Sequence, residues 1–447
     1  MASSPDTIGL NSKPGQKWNV GHILLASDLR HEDLTFLSKE NVEILAKIFP
    51  GTTGLARYGS HLHFVVKELP TRPWPLTIGG ILFTISTDAA TPKGRAGIFP
   101  RTRLGHLQKS LRPDLDGRQD GFTYKGLREL AAQVFDHFKT ELPDVRILEL
   151  MWMGTLFYIV VGDEVDILQI RPRLPGKIAQ CVVSYLYDKQ VPRPIWADLE
   201  AQRVIEPRPD IGVIDDTPYE QLRPGVLLQS KARRDHGHPA THSTTSGVLL
   251  ENAAGEKLMT GASQGIGEDE TVFQELPQGQ KRVVGKAMRD ISFTDVSLIQ
   301  LESDREFVNK VFEHADTASI QLKKLAGENL EDTIGLGDRV YVSTPHCSPV
   351  EGVVLQTSFK LETRPPGQPI EESLSLVAYE WVYMGQVEPA GEGGPMLPEG
   401  ACGSAIWDDA GTVRGFFHHF VESGPYAGFV VATSASEVAR AGYRLSV

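Results

Sequence analysis

The chain has 447 residues, 45 Lys and Arg against 57 Asp and Glu, and a formal net charge of −12. With 40% hydrophobic and 23% charged residues it has ordinary globular composition, which excludes a disordered, collagenous or coiled-coil protein. The acidic balance argues against nucleic acid or an anionic membrane as a main partner, because either would select a basic face.

Residues 1–15 read as a loose polar tail, and no signal peptide is expected, since the first segment lacks a basic start and an apolar run. With no apolar stretch near the ~20 residues of a membrane span, a soluble cytoplasmic or nuclear protein is expected. Residues 16–204 mix signals. A short helix is expected near 40–48, and strands at 61–69, 76–86, 145–151, 156–161 and 181–187. Leu127, Leu130, Ala131, Val134, Phe135 and Phe138 repeat at helical spacing, predicting an amphipathic helix over 124–142. Helices and strands do not alternate regularly, so this segment reads as an α+β domain of unassigned role. Residues 205–245 carry Pro207, Pro209, Pro218, Pro224 and Pro239 and read as a Pro-rich connection. From 246 to 447 short strands alternate with Gly, Pro and Asp turns, the pattern of a β-barrel or sandwich.

Three cysteines, Cys181, Cys347 and Cys402, are too few for a disulfide framework and match no zinc spacing. His236, His238 and His242 could ligate a metal, but they sit in the expected connection, so no metal is assigned. Thr260–Gly267 reads TGASQGIG, resembling the nucleotide-binding turn of short-chain dehydrogenases. Such a turn needs a helix after it, and 268–280 is acidic and contains Pro277 and Gly279. The required Tyr-x-x-x-Lys pair is also missing downstream, since Tyr185 and Lys189 lie upstream. An NAD(P)-dependent oxidoreductase is therefore the least favoured reading, and no cofactor is expected.

Pro398-Glu399-Gly400-Ala401-Cys402-Gly403-Ser404 leads into a strand, a turn, and a second strand that reaches Gly415. This resembles the nucleophile segment of chymotrypsin-like peptidases, with Cys402 in place of serine and Ala401 in place of aspartate. The resemblance implies an oxyanion hole from the Gly400 and Cys402 amides. Thr294-Asp295-Val296-Ser297-Leu298 resembles the strand carrying the triad aspartate, which gives Asp295 that role. Leu258–Ser263 resembles the turn carrying the general base, and Gly335–Tyr341 the entry to a second barrel. Over residues 246–445 the implied fold is an all-β chymotrypsin-like double β-barrel, following the α+β segment.

The matched base position holds no histidine. It is Ser263 under strict spacing or Gln264 if the turn is one residue longer. Neither accepts a proton near neutral pH as imidazole does. His418, three residues past Gly415, falls where the family has a small polar residue beside the triad aspartate. It is the candidate relocated base, and alternation along the strand would turn His419 elsewhere. The leading reading is a peptidase-like protein degenerate for general proteolysis and kept as a binding or regulatory module. The alternative is a Cys402-dependent hydrolase or acyl-transfer enzyme. Either would take a peptide, protein or small acyl substrate in the barrel cleft, with no nucleic acid and no membrane.

Overall fold

The computed structural model describes residues 22–23, 25, 39–58, 61–68, 70, 77–78, 81–86, 110–111, 122–153, 156–179, 181–191, 215–231, 241–291, 293–313, 319–336, 338–345, 347–363, 374–384, 399–421 and 429–446. The protein is mostly β-sheet with few helices. Among the described residues no helix is long and apolar enough to cross a membrane.

The first described elements are a helix at Lys39–Leu45 and a five-stranded sheet. Its strands are ordered His22–Ile23, Thr77–Ile78, Ile81–Ser86, His61–Val66 and Thr52–Tyr58. Phe49, Phe64 and Phe83 meet at its centre, Phe49 and Phe64 edge to face at 5.0 Å. The long amphipathic helix forms as α1, Tyr124–Glu141. The Thr123 hydroxyl caps it by accepting from the Gly126 amide at 3.0 Å. It stops where Leu142 precedes Pro143, a position that disfavours helical backbone. Its buried stripe of Leu127, Leu130, Ala131, Val134 and Phe138 packs on strands β1 (Ile147–Trp152), β2 (Leu156–Val161) and β3 (Cys181–Tyr187).

The first barrel is built from β4 (Leu227–Lys231), β5 (Thr241–Thr245), β6 (Leu249–Asn252), β7 (Lys257–Ala262), β8 (Thr271–Leu276), β9 (Gln280–Asp290) and β10 (Val296–Leu301). The pairing order is β5-β4-β8-β9-β10-β7-β6. Because β5 runs through residues 246–248 directly into β6, the two ends of that order are one bent strand. The sheet therefore closes as a six-stranded antiparallel barrel.

The second barrel comprises β11 (Arg339–Thr344), β12 (Cys347–Thr363), β13 (Leu374–Tyr383), β14 (Ala405–Asp408), β15 (Thr412–Phe420) and β16 (Phe429–Ser434). Its order β11-β14-β15-β16-β13-β12 closes through the β11–β12 pairing, again giving six antiparallel strands. Helix α2 (Ala435–Arg440) and strand β17 (Tyr443–Leu445) follow, and β17 returns to pair with β6 of the first barrel. Two closed six-stranded barrels are the arrangement a chymotrypsin-like β fold requires.

Two expectations need correction. The segment 205–245 is more than a connection, because β4 and β5 lie in it and supply two staves of the first barrel. Their sequence, with Thr241-His242-Ser243-Thr244-Thr245, is too polar to read as core. Yet Thr244 and Thr245 are fully buried, with their hydroxyls hydrogen-bonded. Residues 122–191 are likewise not separated from the barrels. Long β12 overhangs the second barrel and pairs antiparallel with β1, Thr357 opposite Trp152 and Lys360 opposite Glu149. Leu150, Trp152 and Phe157 share one core with Phe359, Ala378 and Trp407.

The dinucleotide reading fails on topology. β7 is an antiparallel strand followed by a single 3₁₀ turn, Ser263–Gly265, and then β8, with no helix to receive a pyrophosphate. The glycines serve close packing instead. A Cβ on Gly265 would lie 2.4 Å from the Ser243 carbonyl oxygen, and one on Gly267 1.7 Å from that of Lys231.

Candidate active site

The β7–β10 pairing sets Ala262 opposite Val296, so the turn after β7 lies beside Asp295, the residue before β10. The Ser263 amide donates to the Asp295 main-chain oxygen at 3.2 Å, and the Gln264 amide donates to Asp295 Oδ1 at 2.9 Å. Asp295 Oδ2 faces His418 Nδ1 at 3.0 Å, and both side chains are less than one-tenth exposed. One carboxylate thus holds the backbone of the base-position turn with one oxygen and an imidazole with the other.

Ser263 is outside this group. Its hydroxyl points outward and donates to Asp290 Oδ1 at 2.8 Å. With Ser263 opening the 3₁₀ turn, the next residue is the one turned inward. Gln264, the alternative base position, is buried at 8% exposure, and its Nε2 donates to the His418 carbonyl at 3.2 Å. Its Oε1 has no hydrogen-bond partner.

Cys402 enters the same junction from the second barrel. It is 5% exposed and packs with Ala262, Ala401, Ile406 and Phe417. Its thiol donates to the His418 carbonyl at 3.0 Å, the oxygen Gln264 also uses. The structure therefore brings Asp295, Gln264, His418 and Cys402 together, and His418 meets the thiol through its backbone oxygen. The side chain of His418 faces Asp295.

A β-bulge explains how one residue does both. The β15–β16 register shifts between Phe417 and His419, where an extra residue re-aims a side chain. Strict alternation along the strand does not hold there. The His418 and His419 rings sit 5.0 Å apart at 79°, and Tyr379 lies 6.3 Å from the His418 ring.

The turn bearing Cys402 is held by the polar strand β5. Thr245 Oγ1 donates to the Gly400 carbonyl at 2.7 Å, and Thr244 Oγ1 to the Cys402 carbonyl at 2.9 Å. The Thr245 amide reaches the Cys402 carbonyl as well, at 2.9 Å. Gly403, at φ +92°, is required here. A Cβ would lie 2.6 Å from the Thr245 carbonyl oxygen and 2.7 Å from the Ala262 amide nitrogen. Its role is close docking of the barrels. Glu399–Ala401 winds as a 3₁₀ turn, in which amides point along the turn toward carbonyls three residues back. The Gly400 amide lies within this turn and the Cys402 amide directly follows it.

Residues that pattern reading passed over include Thr244 and Thr245, whose β-branched pair was a usable strand signal, and the bulge at His418, which left no signal. His236, His238 and His346 lie outside the described residues. Among the described residues no group of three or more His, Cys, Asp or Glu side chains is placed to hold a metal.

No protein-family model matches the chain, and no curated protein matches it. Among solved structures it is similar to a glutamic-acid-specific serine protease, at 11% identity and TM-score 0.34, covering 50% of this chain and 100% of that one. It is also similar to a Nocardiopsis protease, at 11% identity and TM-score 0.32, covering 51% and 100%. A third is a Cellulomonas bogoriensis chymotrypsin, at 11% identity and TM-score 0.32, covering 51% and 98%. The double barrel itself is read from the strand pairing.

Proposed function

We propose that this protein is a degenerate chymotrypsin-fold peptidase, kept as a module that binds a peptide or protein segment between its barrels. The observation that carries this reading is Gln264 at the base position. Its amide takes the Asp295 oxygen, and its carboxamide shares the His418 carbonyl with the Cys402 thiol. A carboxamide cannot accept a proton near neutral pH, and losing a triad base costs several orders of magnitude in rate. The apolar packing around Cys402 supports the same reading. Helix α1 and strands β1–β3 belong to the proposal as a brace that shares the second barrel's sheet and core.

The experiment is hydrolysis of denatured casein and short peptide libraries by the native chain, Cys402→Ala and Gln264→His. The native protein should show no turnover that Cys402→Ala removes, and Gln264→His should gain a weak Cys402-dependent activity. Strong Cys402-dependent turnover in the native chain would overturn degeneracy.

One observation favours a second reading, a Cys402-dependent hydrolase. The His418–Asp295 contact at 3.0 Å is the carboxylate-to-imidazole pairing that fixes a tautomer and stabilises an imidazolium. On that reading the native turnover would disappear in His418→Gln as well as in Cys402→Ala.

A further inference from the structure

The turn that leads into Asp295 is strained. Phe293, two residues before the aspartate, has φ +64°. Left-handed backbone is an outlier for so bulky a side chain, and it persists only where the surrounding structure holds it. The turn also closes tightly on itself. The Ile291 amide donates to the Val296 carbonyl at 2.8 Å, and the Ile291 carbonyl accepts from the Thr294 amide at 3.0 Å and the Thr294 hydroxyl at 2.7 Å. Thr294 Oγ1 accepts in turn from the Val296 amide at 3.2 Å. These bonds fix the ends of the turn and leave packing to place the Phe293 ring.

That ring is partly buried against an apolar cluster that includes Met151, Tyr158, Leu186, Tyr379 and Phe429. The cluster joins β13 and β16 of the second barrel to β1, β2 and β3. Strand register shows how the two sides connect. Tyr158 lies opposite Met151, Met151 opposite Ser358, and Ser358 opposite Tyr379, one row across β2, β1, β12 and β13. Opposed residues share a sheet face, and strands ~4.8 Å apart set Met151 and Tyr379 ~10 Å from each other across the small Ser358.

Tyr379 carries this row to the candidate site. Its ring centre is 6.3 Å from that of His418, and its hydroxyl donates to Glu362 Oε1 at 2.9 Å. Burial, with the Glu362 carboxylate beside it, pushes the Tyr379 hydroxyl well above its usual range, so it stays a donor. Glu362 is 2.7 Å from Lys360, the residue opposite Glu149 of β1. Both members of the Asp295–His418 pair therefore rest on one cluster, Asp295 through Phe293 and His418 through Tyr379. A neutral imidazole keeps its proton on the nitrogen whose partner accepts it, so the seating of Asp295 selects the tautomer.

We infer that Phe293 and Tyr379 are positioning residues, through which β1–β3 set the Asp295–His418 contact and with it the tautomer of His418. The inference rests on neither reading of Cys402, because its test reads a proton and not turnover. In the full chain carrying isotope-labelled histidine, the His418 ring nitrogens are followed by NMR at about pH 8, above the usual histidine range. The native protein should hold Nδ1 protonated, and His418→Gln identifies the signals by their loss. Phe293→Gly relieves the backbone and deletes the ring, and should lower the share of the Nδ1–H form about twofold or more. Phe293→Leu keeps an apolar side chain against the cluster and should retain the native form. Met151→Ala, two strands from Tyr379, should lower the share as Phe293→Gly does, and it decides the matter if Phe293→Gly fails to fold. Two results would overturn the inference. One is a native His418 protonated on Nε2 alone, meaning that Asp295 does not select the tautomer. The other is an unchanged Nδ1–H share in either folded variant, Phe293→Gly or Met151→Ala, meaning that the cluster packs without steering the pair.

Discussion

Glu380 offers a direct test of how the second barrel is held together. Its side chain is fully buried on β13, with Oε2 accepting from Thr357 Oγ1 at 2.8 Å and Oε1 from Ser434 Oγ at 3.3 Å. Burial pushes its pKa from 4.5 up to about 7, against the opposing pull of the Arg414 charge and the two hydroxyl bonds. The folded state therefore holds this proton over a pH range in which the unfolded chain has released it. Stability from this group is fully present below pH 4.5 and is lost as pH rises through about 7. At about 1.4 kcal/mol per pH unit, the gap corresponds to about 3 kcal/mol. Glu380→Gln keeps an acceptor for Thr357 and Ser434 and removes the titration. Urea unfolding of both proteins from pH 5 to pH 8 isolates the effect, because other titrating groups cancel in the difference. The native protein should lose about 2.5 kcal/mol relative to Glu380→Gln across that range, mostly below pH 7. A difference that stays flat within about 0.5 kcal/mol would refute the reasoning.

Two further predictions concern the Cys402 turn. Gly403→Ala places a Cβ against the Thr245 carbonyl at a positive φ, and should cost about 3 kcal/mol in urea unfolding; a loss under about 1 kcal/mol would mean the turn relaxes freely. Thr245→Val removes the hydroxyl that holds the Gly400 carbonyl and should cost about 1–2 kcal/mol. The same change should speed iodoacetamide labelling of Cys402, followed by mass spectrometry, whereas an unchanged rate would show that β5 does not control access to the thiol.

Features that depend on periodicity and local chemistry were legible in the residues alone. The stripe from Leu127 to Phe138 dictates α1, since only a helix puts those residues on one face. The apolar runs at Leu156–Val161 and Cys181–Tyr187 form strands with the expected bounds. The short strands after residue 246, with turns between them, carried the barrel reading. The Gly-Ala-Cys-Gly turn, Asp295 and His418 were all visible as motif positions. Other features rest on partners distant in the chain, and these emerged only on folding. Polar β5 is a barrel stave because its buried hydroxyls find the carbonyls of a turn about 155 residues later. The different surroundings of Ser263 and Gln264 come from Asp295, whose carboxylate takes the second amide of the 3₁₀ turn while the first side chain bonds Asp290 outside. A bulge, which spacing cannot signal, turned His418 so that its ring meets Asp295 while its carbonyl receives the Cys402 thiol.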